Sequence, residues 1–420
     1  MKLGKCKCAK RKISLVVIFI GCCLYGSGQS LSLDYYLQYA AHNTPLLREY
    51  NNKTVSNTLD SLQQRAVYGF IVSAEGAANY APAYAGWGYD KALTNGQSLF
   101  AGARVSKTLI SNNQLSARLA AFELVKKQLQ AQQILSTQML SKAITEQYIA
   151  SYTSQQLFKN ASEINKILEQ EDLVLKKLTR SSLFKQTDYL TFKVTLQQYE
   201  LTRQQLQADW QNNIMLLNFS CGIVDTALAF LEAPLFKNPV SNFENSVYQT
   251  AFIADSLQLA NKASLINYDY KPKITAFSDA GFNSSLARQA YKNAGFSVGI
   301  AISLPLYDGH KKQMLLQQNN LELETRKNYL AQTKNQYQQK LLQLQQQIHT
   351  YKKLEALASE QMVYAHTLIE ANAKQLPTGD VKILDFILSI NNYLNLKVNS
   401  IQYQSTLYNL QNQLQNLIIQ

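Results

Sequence analysis

The chain has 420 residues, 46% of them hydrophobic and 16% charged, which allows a sizeable core and lies outside the composition of disordered chains. A mean hydropathy of -0.21 and the lack of a long apolar run after about residue 24 exclude a polytopic helical membrane protein. They do not exclude a β-barrel, whose strands show only alternation.

The net charge of +13 is concentrated at the start. Lys2, Lys5, Lys7, Lys10, Arg11 and Lys12 precede an apolar stretch over 13–20, and Gly26, Ser27 and Gly28 follow. This is the charged, apolar and small-residue order of a secretory signal, with a mature start at Gln29. Without those six charges the 41 basic residues fall to 35 against 28 acidic ones, with no dense basic run, so charge does not support a nucleic-acid partner. Cys6, Cys8, Cys22 and Cys23 lie in the same segment, and only Cys221 remains beyond it. An internal disulfide and a cysteine-based metal cluster are thereby excluded from the mature chain. Phe19-Ile20-Gly21-Cys22 also loosely resembles a lipobox, in which case Cys22 is a lipidated N-terminus; both processing routes stay open.

Beyond the leader the chain repeats itself. An offset of 197 positions carries Val105 onto Ile302, Leu157 onto Leu354, Ala161-Ser162-Glu163 onto Ala358-Ser359-Glu360, and Asp188 onto Asp385. The expected units are a signal at 1–28, a first repeat at 29–225 and a second at 226–420. Each opens with a short helical segment, 33–62 and 244–261. Each continues with a hairpin, about 68–109 and 272–306. In the first strand Val72, Ala74 and Ala78 alternate with Ser73, Glu75 and Asn79, and in the last Phe296, Val298 and Ile300 alternate with Ser297, Gly299 and Ala301. This period of two predicts half-exposed strands. The hairpin connections, 81–95 and 284–294, are long, and the first holds Tyr84, Trp87 and Tyr89. Interfacial aromatics beside long outer loops suit a membrane barrel, and surface aromatics in a soluble protein's loop explain them as well.

After each hairpin runs a stretch free of Pro and Gly, 114–177 and 311–374, which predicts helices far longer than ordinary globular ones. Breaks at 179–186 and 376–382 precede return helices at 187–217 and 384–418. In the last, Ile383, Ile387, Ile390, Leu394, Val398 and Ile401 lay one apolar seam along a Gln, Asn and Lys surface, a coiled-coil pattern. His42, His310, His349 and His366 have no metal-ligand spacing, and neither a Gly-rich phosphate loop nor a nucleophile elbow is present, so no catalytic, cofactor or metal site is expected.

Several local patterns fall in a familiar order: Leu31-Ser32-Leu33-Asp34 with Asn43-Thr44-Pro45, then Tyr270-Lys271-Pro272, Leu304-Pro305-Leu306-Tyr307-Asp308-Gly309, and Gln375-Leu376-Pro377-Thr378-Gly379-Asp380 before Leu384-Asp385. With the repeat they give essentially the whole mature chain a resemblance to the TolC family of outer-membrane efflux channels. That resemblance implies a mixed α and β membrane protein with a duplicated α-β-β-α-α repeat. Each chain then gives four strands to a trimeric twelve-stranded β-barrel, continued by a long periplasmic α-helical coiled-coil barrel. It further implies a non-enzymatic conduit without cofactor, working as a homotrimer in outer-membrane lipid with a periplasmic adaptor protein and an inner-membrane transporter. Residue by residue, Leu376, Pro377, Thr378 and Gly379 match the family's adaptor-docking tip, with Arg180 and Asp188 at the less well matched first tip. Asp385 matches an aspartate of the periplasmic gate, and Leu388 stands where relatives often place a second one. A surface-exposed coiled-coil adhesin or structural envelope protein is the alternative, and it leaves the paired hairpins unexplained. The exported cargo is not written in the sequence.

Overall fold

The computed structural model describes residues 31–82, 88, 97–224, 228–236, 242–285 and 291–418. The leader with Cys22, the repeat boundary at 225/226 and the aromatics Tyr84, Trp87 and Tyr89 lie outside the described residues.

Helix α1 (Leu33–Asn43) starts where the Ser32 side chain accepts from the Tyr35 amide, with Asp34 in the first turn. It stops at Thr44, held extended at φ −71°, ψ 133°, because the residue before a proline is pushed out of the α region. Pro45 then opens α2 (Pro45–Val67) from the position where a missing amide costs nothing. The single helix expected over 33–62 is therefore two helices. Strand β1 (Ile71–Tyr80) begins later than the expected residue 68, since Tyr68 and Gly69 still donate to the carbonyls of Arg65 and Ala66. Strand β2 (Gln97–Leu109) leads to α3 (Asn112–Arg180), a helix of 69 residues whose first turn is capped by Ser111 through the Gln114 amide. Helix α4 (Gln186–Cys221) returns and is closed by Gly222 at φ 74°, the left-handed geometry that a C-terminal glycine provides.

The second half repeats the plan. Its opening helix α5 (Val247–Asp269) matches α2 at 23 residues and runs well past the expected end at 261. Strands β3 (Lys273–Ser284) and β4 (Ala294–Ser303) follow, then α6 (Lys311–Gln375) and α7 (Ile383–Ile418). Both α4 and α7 have 36 residues, and the offset of 197 carries both ends of one onto the other. Strand β4 stops before Leu304, Pro305 and Leu306, which were expected inside it; a proline has no amide to give the ladder.

All four strands form one antiparallel sheet in the order β1-β2-β3-β4, so the two hairpins are joined through β2 and β3. Among the described residues, β1 and β4 are open edges. At the join, Gly102 and Gly281 face each other so closely that a Cβ on Gly281 would lie 2.4 Å from the Gly102 Cα. Two small residues at this point let the sheet fold toward the face they occupy.

The helices pair as hairpins, α3 with α4 and α6 with α7, and α7 also packs along α3. Two apolar clusters hold them. One lies near the helix turns, around Leu168, Leu175, Phe192, Leu376, Phe386 and Ile390. The other joins Tyr36, Tyr148, Trp210 and Leu217 and the segment near Leu231. In it the Tyr148 hydroxyl lies 2.9 Å from the Leu31 carbonyl and 2.8 Å from that of Glu232, while Gln155 accepts from the Leu231 amide at 2.7 Å. These bonds clamp the segment between the repeats onto α3. Burial raises the Tyr148 pKa well above the usual phenol range.

Candidate channel surfaces: sheet faces and helix tips

Because side chains alternate along each strand, the pairing register assigns every strand residue to one of two faces. Val72, Val105, Ser278 and Val298 share one row, and Ala74, Ala103, Ala280 and Phe296 the next. This face is apolar and open: Val298 is 75% exposed and Phe296 81%. An exposed apolar surface of that extent needs lipid or another protein to cover it.

The opposite face carries Glu75, Arg104, Lys273 and Asp279, every strand charge except Lys107. Ser73, Arg104, Asp279 and Ser297 stand in one row across all four strands. Arg104 reaches Glu75 at 3.0 Å and Asp279 at 3.5 Å, and Ser297 donates to Asp279 at 2.9 Å. The alternation pointed to these residues one by one, but pairing them needs the β2–β3 register, which links residues far apart in sequence. Phe277 also lies on this face, its ring filling the space beside Gly299.

At the far end of the molecule the two helix turns come together. Ser182 adopts φ 63° in the first, and Gly379 adopts φ 78° in the second with its amide donating to the Leu376 carbonyl at 3.2 Å. A Cβ on Gly379 would lie 3.5 Å from Leu183 of the other turn. Leu183 was not among the expected tip residues, because nothing local in the sequence marks a contact between the two repeats. Pro377, Thr378, Gly379, Arg180 and Asp188 are exposed. Leu376 is not: it is fully buried in the cluster beneath the turn, so it supports the tip and offers no side chain to a partner.

Asp385 sits exposed in the first turn of α7, beside Leu384 and Leu388, which are also exposed. The expected seam from Ile383 to Ile401 is turned inward: Ile383, Ile387, Ile390 and Ile401 are buried. The other side of α7 presents Asp385, Leu388, Asn392, Asn395 and Asn399, spaced by three and four residues, as one outward stripe.

Among the described residues, no group of three or more His, Cys, Asp and Glu is placed to hold a metal ion. No described helix is long and apolar enough to cross a membrane. Cys221 is buried and burial pushes its thiol up to about 11, which leaves it protonated and unreactive at neutral pH.

A four-stranded, two-faced sheet with open edges, continued by two long helical hairpins that meet at their turns, is the architecture that the TolC-like motifs imply, and it is the fold of solved outer membrane channels. Solved structures bear this out. The outer membrane protein VceC from Vibrio cholerae matches with a TM-score of 0.73 and 14% identity over 91% of this chain and 94% of its own. The Campylobacter jejuni CmeC outer membrane channel matches at 0.74 and 9% identity, over 92% and 85%. The open state of the Neisseria gonorrhoeae MtrE outer membrane channel matches at 0.73 and 11%, over 92% and 88%. At these identities the likeness is one of fold. No protein-family model matches the sequence, and no curated protein matches it.

Proposed function

We propose that the chain is the outer-membrane channel of a tripartite efflux or type I secretion system: a passive, cofactor-free conduit from periplasm to exterior, without enzymatic activity. Residues 1–28 direct export, and the repeats at 29–225 and 226–420 form the mature subunit. The observation that carries this reading is the two-faced sheet with two open edges. An isolated open sheet leaves unpaired backbone groups that lipid cannot satisfy, and closure removes them. Three copies give twelve strands, with the apolar face toward lipid and the Glu75–Arg104–Asp279 face toward a water-filled lumen. The helices continue this wall into the periplasm. Energy comes from an inner-membrane transporter, and a periplasmic adaptor protein docks at the tips through Pro377, Thr378 and Gly379, flanked by Arg180 and Asp188. The similarity of fold to outer membrane channels supports this assignment. An adhesin would use the helices but leave the two-faced sheet without a role.

Asp385 is the gate residue in this reading. Three copies close together at the tip form an acidic ring, which favours cations at the narrowest point. Its other role is to complement the α7 dipole from the first turn. The test is to purify the protein in detergent, measure its mass and record currents in planar bilayers. A trimer with cation-selective conductance is expected, and Asp385→Asn lowers that selectivity while leaving the trimer intact. A monomer without conductance would overturn the conduit. Selectivity unchanged by the substitution would remove Asp385 from the gate.

A further inference from the structure

Lys107 is the one charged residue on the apolar face of the four strands; Glu75, Arg104, Lys273 and Asp279 all point the other way. It occupies the row below Val72, Val105 and Val298, with only the row of Leu109, Ile274 and Ile302 between it and the helices. Phe70 lies opposite, one residue before β1, and the Lys107 ammonium sits 4.6 Å above its ring. That ring is 73% exposed, so this corner of the sheet is open to whatever surrounds it. Among the described residues no carboxylate comes within ion-pair distance of Lys107, whereas Arg118 nearby is paired with Asp269. The adjoining helix ends repeat the motif: Arg118 lies over Tyr68, Lys271 over Tyr268 and Lys312 over Tyr270. Cations stacked on aromatic rings at one level along the molecule mark the boundary between an apolar layer and water.

We infer that Lys107 and Phe70 form a binding site for the phosphate of an anionic phospholipid in the periplasmic leaflet, with the acyl chains lying along Val105 and Ile300. The inference rests on the outer-membrane reading above. An ammonium on a lipid-facing strand is tolerated near the interface and costly deeper in, and a headgroup phosphate supplies the counter-charge that none of the described residues does. The Phe70 ring covers one side of the ammonium and leaves its remaining N–H groups free to donate to phosphate oxygens.

The full chain is reconstituted into phosphatidylcholine vesicles containing a minority of phosphatidylglycerol and floated on a gradient. It is then released into detergent, and the lipids it retains are weighed by native mass spectrometry. Wild type is expected to enrich phosphatidylglycerol over phosphatidylcholine roughly fivefold, the effect of one basic side chain at an anionic surface. Lys107→Gln removes the enrichment, Lys107→Arg keeps it, and Lys273→Gln on the other face leaves it unchanged. Equal retention of both lipids by wild type, or full enrichment in Lys107→Gln, overturns the site. Displacement of phosphatidylglycerol by millimolar inorganic phosphate would identify a free-anion site and overturn the lipid assignment. Should Lys107→Gln fail to float, Phe70→Leu carries the test: it lowers the enrichment if the ring is part of the site, and unchanged enrichment overturns that. A wild-type chain that does not float at all refutes the outer-membrane reading and this inference with it; a chain that floats without enrichment refutes only the inference.

Discussion

Val298 and Ser297 are neighbours in β4 that face opposite ways, Val298 on the open apolar face and Ser297 donating to Asp279 on the polar one. An arginine at Val298 is expected to cost about 2–4 kcal/mol if the position lies near the bilayer midplane, while an arginine at Ser297 meets water and a carboxylate and costs less. Heat-modifiable trimer on gels reads the difference, and equal loss at both positions would contradict the face assignment. On the helices, Glu200 is gripped by Arg203 at 2.6 and 2.8 Å and reached by Asn165 from α3 at 3.0 Å. The Arg203 hydrogen bonds, then that of Gln204, hold the Glu200 carboxyl down at about 2, below the ordinary 4.5. Its contribution is therefore complete above about pH 4.5 and is lost as pH falls toward 2. The pair is partly solvated, which limits the effect to ~0.5 kcal/mol. Glu200→Gln should shallow the acid-unfolding curve between pH 5 and 2 by circular dichroism, and an identical curve would show that the pair contributes nothing.

At the scale of elements, the long helices and the strand alternation were legible because each is a run of local pattern: sixty residues without Pro or Gly, or mostly apolar residues alternating with mostly polar ones. Their ends were less legible. Alternation persists through Tyr68, Phe70, Leu304 and Leu306, yet the ladder stops where a helix cap claims Tyr68 and where Pro305 has no amide. The tips were readable as turns from Pro377 and Gly379, but their meeting was not, since Leu183 and Gly379 belong to different repeats and no local signal joins them. In the proposed docking tip, buried Leu376 is placed to support the turn and exposed Thr378 to meet a partner. Leu376→Ala should cost roughly 2–5 kcal/mol by thermal unfolding, the price of a cavity in the tip cluster. Thr378→Arg should alter stability by less than about 1 kcal/mol while reducing adaptor binding and export. Export insensitive to Thr378→Arg would place the docking surface elsewhere.

At the scale of the whole molecule, one chain is an unfinished wall. Strands β2 and β3 are paired on both sides, and among the described residues β1 and β4 are paired on one and nothing covers the apolar face. In the proposed channel, association of copies through those edges, with lipid against the apolar face, would satisfy both needs at once, and the polar row of Ser73, Arg104, Asp279 and Ser297 would continue from copy to copy around the pore. The central claim is that one face of this sheet meets lipid and the other meets water. The measurement that tests it most directly is the labelling of single cysteines along β4 with a membrane-impermeant maleimide in reconstituted vesicles. Cys221 is buried and adds little background, and Gly299 is left untouched because a Cβ there would meet the Phe277 ring at 2.4 Å. Cysteines at Ser297, Ala301 and Ser303 are expected to react, and those at Phe296, Val298, Ile300 and Ile302 to be shielded. Uniform labelling along the strand, or the opposite alternation, would contradict the account.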